Sequence, residues 1–416
     1  MRMLVYVIRR LALIVPVVIG VMTIVFVLIN ALPVYYQLVA AYGNPNPHDP
    51  CSYNPTCPCG EIYPGEKGTC PNPVYVRLTH LLGLDRPVYE RYFVYIYHAF
   101  TFQWGTVANV SAVQASYSFA RDQPVTKFLG EMLPSTIELA ALSLIIILAI
   151  AIPLGNLGAV NRNRPIDQAS RIVSFSGYAI PPFLLGSFVL MGVYYLLYSH
   201  VGFDVHTPWC PSGEVLYAFN GQSELTGSWP AAGCYSGQLS IATNCPTWLS
   251  NCLVSHPTGF PTYDAFYHGQ YWLGLDTLIR LILPALVVAY GSIAILLRFV
   301  RNSMLEVMNL DYIRTARAKG VPESRVISKH AGRNSMNVTV TVLGLTFAGF
   351  LGGFPIIEDV FYLNGVGRAL VLAAQPGGFD FGVIFGSTIL FTYLIVSANL
   401  IVDVLYAYLD PRVRLG

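Results

Sequence analysis

The densest chemistry in this sequence is basic. Residues 298–334 read RFVRNSMLEVMNLDYIRTARAKGVPESRVISKHAGRN and carry Arg298, Arg301, Arg314, Arg317, Lys319, Arg325, Lys329 and Arg333. Within this stretch Asp311 can cap a helix beginning at Tyr312, and Gly320 with Pro322 can end it. The pattern predicts a short helix from Tyr312 to Lys319 and a second, after Pro322, from Glu323 to about His330. A short basic helix ended by glycine suits two jobs: a knob for a partner's groove, or a loop resting on anionic lipid. The second chemical group is a pair of cysteine quartets: Cys51, Cys57, Cys59 and Cys70, then Cys210, Cys234, Cys245 and Cys252. Each quartet can form disulfides in an oxidising exterior, with the connectivity open. The Cys-x-Cys spacing fits zinc knuckles poorly, so no metal is expected. One carboxylate, Glu138, interrupts an apolar run about five residues from its start; Lys127 is its expected neighbour. The sequence holds no His-Glu-x-x-His, no Gly-x-Ser-x-Gly and no Walker phosphate loop. It reads as a conduit without an engine and not as an enzyme, with any energy source in a partner.

The elements that carry these groups must cross a membrane. The chain has 416 residues, 54% hydrophobic and 11% charged, where soluble proteins carry about 25% charge. Charge-poor apolar runs mark six spans: Leu11–Leu32, Leu133–Val160, Ile172–Phe203, Leu281–Leu297, Val338–Ile357 and Gly382–Val402. Each is long enough for a hydrocarbon core of about 30 Å and must be helical, because lipid offers backbone groups no partner. The first is read as a retained span, since its apolar run is too long for a signal peptide and lacks a cleavage site. The Pro181-Pro182 pair should kink the third.

Charge sets the expected orientation. The segments Met1–Arg10, Asn161–Arg171, Arg298–Asn334 and the tail after Asp403 hold about 16 of the 24 basic residues, whereas His200–Thr277 holds none. That is the positive-inside pattern for both termini in the cytoplasm. The expected organisation is residues 1–32 for the N-terminus and first span, 33–132 for an outer segment, and 133–203 for spans two and three. Residues 204–277 form an outer insertion, 278–300 span four, 301–337 a cytoplasmic loop, 338–410 spans five and six, and 411–416 a tail. All eight cysteines fall on the outer side, as does the glycosylation sequon at Asn109.

The segment from Asp311 to Gly320, DYIRTARAKG, closely resembles the coupling segment of permease subunits of peptide/oligopeptide ABC importers, in particular the first, or "B", permease of the dipeptide and oligopeptide systems. Further stretches are similar in the same order. They are Tyr6–Pro16, Gly83–Tyr92, Leu133–Ala140, Gly344–Gly353, Glu358–Phe361, Asn399–Tyr406 and Asp410–Arg412, so the resemblance covers roughly two-thirds of the chain. It implies a type I ABC-importer permease fold, all-α, in the plasma membrane, with two disulfide-bearing outer insertions beyond the family pattern. It also implies partners: a second permease subunit, two cytosolic ATPase subunits that bind the ATP and Mg, and an extracellular substrate-binding protein. No cofactor belongs to this chain and no nucleic acid is involved.

By the same resemblance, the seat for the ATPase is Asp311, Tyr312, Arg314, Thr315, Ala316, Arg317, Ala318, Lys319 and Gly320. Ala316 would keep contacts short, and Arg314 and Arg317 would pair with partner carboxylates. There are departures: Val338 stands where the family has proline, so the fifth helix is expected to start differently, and Asn364-Gly-Val-Gly367 replaces Pro-Gly-x-Gly. The implied cargo is di- or oligopeptides. Trp209, Trp229, Trp248 and Trp272 on the outer side keep oligosaccharides as the alternative. A stand-alone channel or secondary transporter and a membrane enzyme are weaker readings, for want of intramembrane charge and of catalytic motifs.

Overall fold

The computed structural model describes residues 2–31, 83–107, 123–193, 214–216, 253–255, 260–267, 271–352, 354–375 and 380–409. All eight cysteines, Asn109, Trp209, Trp229, Trp248 and the Asp410–Arg412 motif lie outside the described residues, so the expected disulfides and sequon have no structural counterpart here.

The described chain is almost wholly helical. In order the elements are α1 (Arg2–Asn30), α2 (Val88–Phe100), α3 (Val125–Val160), α4 (Pro165–Ala179), α5 (Pro182–Val193), β1 (Glu214–Leu216), β2 (Leu253–Ser255), α6 (Pro261–Tyr267), α7 (Tyr271–Met308), α8 (Asp311–Ala318), α9 (Glu323–Arg325), α10 (Gly332–Leu351), α11 (Pro355–Val360), α12 (Val366–Ala373) and α13 (Phe381–Leu409). The strands form one antiparallel ribbon with Val215 opposite Val254. Val125–Val160, Leu281–Met308 and Phe381–Val402 are long and apolar enough to cross a membrane. The bent pair α4–α5 would make a fourth crossing, and Val15–Leu28 is a shorter apolar helix.

Several boundaries differ from the hydropathy reading, for one physical reason: hydropathy marks lipid, whereas a helix runs until something ends it. α3 starts at Val125, two turns before the apolar run, and passes through Pro134 and Pro153. α7 continues past Leu297 to Met308, carrying Arg298 and Arg301 on the same rod as the apolar span. The outer segment, residues 33–132, contains α2. This helix returns against the end of α1: Tyr92 Oη lies 2.8 Å from Thr23 Oγ1, Arg91 donates to Asn30, and Phe26 packs on Tyr92 and Tyr95 with ring centroids 5.3 Å apart. The third span is broken rather than kinked. Ile180, the residue before a proline, is extended (φ −97°, ψ 119°), as proline sterics demand, and the axes on either side meet at 104°.

Packing is organised around α3 and α7. Leu139, Ile147, Leu296, Leu297 and Phe361 are buried in a cluster that joins these two helices to α11. Close approach is set by glycine: a Cβ on Gly155 would lie 2.7 Å from Val300 Cγ1 and 3.2 Å from the Leu297 carbonyl oxygen. A second cluster, with Met22, Phe128, Met132 and Ile389, joins α1 and α3 to α13.

Overpacking a closed helix contact costs about 1–3 kcal/mol. Gly155→Val is therefore expected to lower the melting temperature of the purified protein in detergent, whereas Gly130→Val, where a Cβ meets nothing within 4 Å, leaves it nearly unchanged. Equal melting of the two variants would contradict the packing described.

Candidate functional site

The basic stretch folds into a two-faced knob. α8 begins at Asp311 with Leu310, not Asp311, in the capping position. The Asp311 carboxylate is left exposed in the first turn, where it suits the positive end of the helix dipole, and it lies 3.4 Å from Arg314. The helix ends as expected. Gly320 adopts φ +75°, a conformation that side chains resist. The Gly320 N–H donates to the Arg317 carbonyl at 2.9 Å and the Val321 N–H to the Ala316 carbonyl at 3.2 Å. This pair of reversed hydrogen bonds closes the last turn.

Ile313 and Ala316 point inward, buried with Met304, Val326, Ala331 and Ala159. Asp311, Tyr312, Arg314, Thr315, Arg317, Ala318, Lys319 and Gly320 face outward. Of the expected seat, then, Ala316 belongs to the base and the rest to the exposed surface. Arg317 makes a bidentate pair within the chain, donating from Nη2 and Nε to Glu323 at 2.7 and 3.1 Å. This bond pulls the Glu323 carboxyl below its usual range. Tyr312 Oη accepts from Asn334 Nδ2 at 2.8 Å. The predicted second short helix is not a separate piece. α9 runs through a wide π-type turn, Val326–Ala331, into α10 without a break. The knob is thus stiffly attached to α7 on one side and α10 on the other.

Beneath the knob lies a group that the sequence reading missed. Asp167, in the first turn of α4, is buried and accepts from Arg301 Nε at 2.6 Å and Nη2 at 3.1 Å. It also accepts from Arg171 at 2.8 Å and from the Asn163 backbone N–H at 2.9 Å. Three donors from two arginines and one backbone N–H thus satisfy this buried carboxylate. The α3–α4 turn is thereby pinned to the basic end of α7.

Two more carboxylates tie helix ends. Glu138 does not meet Lys127, which lies 3.9 Å from Glu131 instead. Its oxygens accept from Thr262 N and Oγ1, both at 3.0 Å, and from Tyr263 N at 3.4 Å, at the start of α6. Lys127 is three turns away on the same rod, too far to reach. Glu358 is fully buried and accepts from the N–H groups of Gly367 at 2.8 Å and Arg368 at 3.2 Å, while Thr136 on α3 takes the Val366 N–H at 3.0 Å. A Cβ on Gly365 would collide with the Glu358 carboxylate, and one on Gly367 would sit 2.7 Å from Pro355 Cα. The Gly-Val-Gly spacing is what lets the start of α12 close onto this carboxylate. Among the described residues no group of three or more metal-ligating side chains converges.

Long apolar helices joined by a rigid basic knob define a polytopic membrane protein with its chemistry at the helix ends. Residues 147–415 match the family of binding-protein-dependent transport system inner membrane components. The dipeptide transport system permease protein of Escherichia coli (strain K12) is 31% identical over 412 residues, 99% of each chain. The oligopeptide transport system permease protein of Bacillus subtilis (strain 168) is 31% identical over 332 residues, covering 80% of this chain and 82% of that protein. The di/tripeptide transport system permease protein of Pseudomonas aeruginosa (strain UCBPP-PA14) is 27% identical over 412 residues, again 99% of each. The chain belongs to this family: it is a permease subunit of an ABC importer, carried in the plasma membrane by several passes.

Breaking a buried ion pair by removing one partner costs about 3–5 kcal/mol. Asp167→Asn is expected to destabilise the protein by an amount in that range, read as a lowered melting temperature. An unchanged melting temperature in Asp167→Asn would contradict the assignment.

Proposed function

We propose that this chain forms half of the translocation pathway for di- or oligopeptides delivered by an external binding protein, and that α8 is the element through which ATPase subunits drive it. The carrying observation is the division of α8 into a buried apolar base, Ile313 and Ala316, and an exposed polar face. A loop merely resting on lipid needs no such base. The site's sequence, its length and its rigid mounting between two long helices support a force-bearing contact. The names of the relatives, dipeptide, oligopeptide and di/tripeptide permeases, support peptide over oligosaccharide as cargo.

In this reading the chain crosses the membrane six times, through α1, α3, α4–α5, α7, α10 and α13, with both termini inside. The outer segments carry the cysteines as disulfides and either receive the binding protein or cap the entrance. A second permease completes the pathway. ATP and Mg are bound and hydrolysed in two partner subunits. Closure of those subunits moves α8, which moves α7 and α10 with it because both are packed or fused to its base. Arg314, Tyr312, Thr315 and Lys319 meet the ATPase. Arg317 braces the knob through Glu323 and presents its outer edge.

The Arg314 side chain is 71% exposed and held only by a long contact to Asp311, so Arg314→Glu should leave the permease folded. Truncating or reversing a charge in a docked pair costs about 2–5 kcal/mol of binding. ATPase subunits co-purifying with the variant, and peptide uptake, are expected to fall tenfold or more. The pair Arg317→Glu with Glu323→Arg reverses the internal brace and should recover much of what Arg317→Glu alone loses. Wild-type assembly and uptake in Arg314→Glu would refute the docking face. Mass spectrometry of ligands on the purified binding protein tests the cargo; oligosaccharides in place of peptides would overturn that part alone.

A further inference from the structure

The end of the α3–α4–α7 junction carries an open cavity of about 490 Å³ lined by Arg162, Arg171, Arg298, Arg301, Asn302 and Phe175, among others. A water molecule's share of liquid volume is about 30 Å³, so the space exceeds what a few ordered waters fill. Four arginines face it and no carboxylate lines it. Their states differ in a useful way. Arg301 is fixed by Asp167 from behind and reaches Asn302 Oδ1 with Nη1 at 3.4 Å. Arg171 spends one donor on the same carboxylate and keeps the others. Arg298 lies over the Phe175 ring at 5.5 Å. Among the described residues neither Arg162 nor Arg298 has a carboxylate partner.

The cavity is also amphipathic in the direction that matters. It sits where the apolar run of α3 stops at Val160 and where that of α7 gives way to Arg298. On α4, Phe175 lines it and is 66% exposed, and Ile172, one turn before Phe175 on the same helix, is 68% exposed. Guanidinium groups above exposed apolar side chains are the arrangement that holds a lipid, with the phosphate among the arginines and acyl chains along the apolar face. Guanidinium suits phosphate because its planar donors meet two oxygens at once.

We propose that this cavity binds the phosphate headgroup of an anionic phospholipid, and so anchors the mechanically important α4–α7 junction to the inner leaflet. A protein carboxylate from a partner subunit would match the charge but not the apolar face below it. A soluble phosphate would match the arginines and leave Ile172 and Phe175 unexplained. The side of the membrane follows the orientation proposed above; the chemistry of the cavity does not depend on it.

The test uses the full chain in its assembled transporter, purified in mild detergent and delipidated stepwise. Native mass spectrometry should show phosphatidylglycerol or cardiolipin retained after phosphatidylethanolamine is lost. Retention should fall at least about tenfold in Arg162→Gln/Arg298→Gln, two surface charges being worth about that much, and should recover in Arg162→Lys/Arg298→Lys. The ATPase subunits should stay bound throughout, which separates this site from the α8 surface. Anionic lipid absent from the wild type, or retained equally in the Gln variant, overturns the proposal. So does displacement of the lipid by millimolar inorganic phosphate, which marks a free-anion site. So does loss of a partner subunit, instead of lipid, in the Gln variant, which marks a protein contact.

Discussion

Hydrocarbon supplies no hydrogen-bond partner, and this structure is shaped by where that lack becomes expensive. Inside a helix the backbone satisfies itself. At each break it does not, and the freed N–H groups must find an acceptor within the chain. Three carboxylates answer three breaks. Glu138 receives the start of α6, Asp167 the turn between α3 and α4, and Glu358 the start of α12. In every case the acid and the N–H groups belong to different elements or to different turns of the chain. Each bond therefore fixes tertiary geometry as well as a helix end.

Asp167 carries the most consequence because it also gathers cations. An isolated buried carboxylate would be costly, and so would an arginine turned toward lipid. Together they remove both problems and leave net positive charge at the end of α7. The same fixed arginine that satisfies Asp167 helps wall the cavity beside it. α8 is packed directly onto this junction, since its base rests on Met304, one turn beyond Arg301 on the same helix. A rigid knob, a pinned turn and a long rod form one mechanical unit, and π-type turns deliver the other side of it into α10.

How much of this could be read beforehand follows the range of the interactions. The apolar runs, the basic stretch and the glycine stop at Gly320 are local, and they were legible; at Pro181-Pro182 the bend was legible but not that it is a full break. The cap of α8 was misplaced by one residue, because Asp311 and Leu310 compete within one turn and the aspartate does as well exposed near the dipole as it would at the cap. The continuity of α9 with α10 was hidden by the glycine and polar residues of Gly332–Asn337, which read as the end of the predicted helix; nothing in Val326–Ala331 breaks a helix, and the turns widen there and carry it on. Asp167 could have been flagged only as an acid in the first turn of a helix. Its partner Arg301 is 134 residues away, and no periodicity connects them. Glu138 was assigned a neighbour on its own helix, whereas its real partners come from the far end of the insertion at Thr262 and Tyr263.

The glycines near Glu358 show how a sequence pattern and a physical requirement become the same statement. Gly365 and Gly367 were legible as a motif by resemblance, with no role attached. The structure supplies the role: a carboxylate carried by α11 must approach the first turn of α12 closely enough to take two backbone N–H groups, and side chains at either position would block it. The asparagine at the head of the motif is tolerated for the same reason. Asn364 Oδ1 accepts from Arg368 at 2.9 Å, so a rigid proline is exchanged for a polar tie across the same turn. Thr136 extends that tie to α3, whose far end carries the α3–α4 turn held by Asp167. A displacement of α3 that begins at the basic end thus has a direct mechanical route to the Glu358 junction. On the function proposed above, that is the route by which a displacement at α8 would reach the far end of α3.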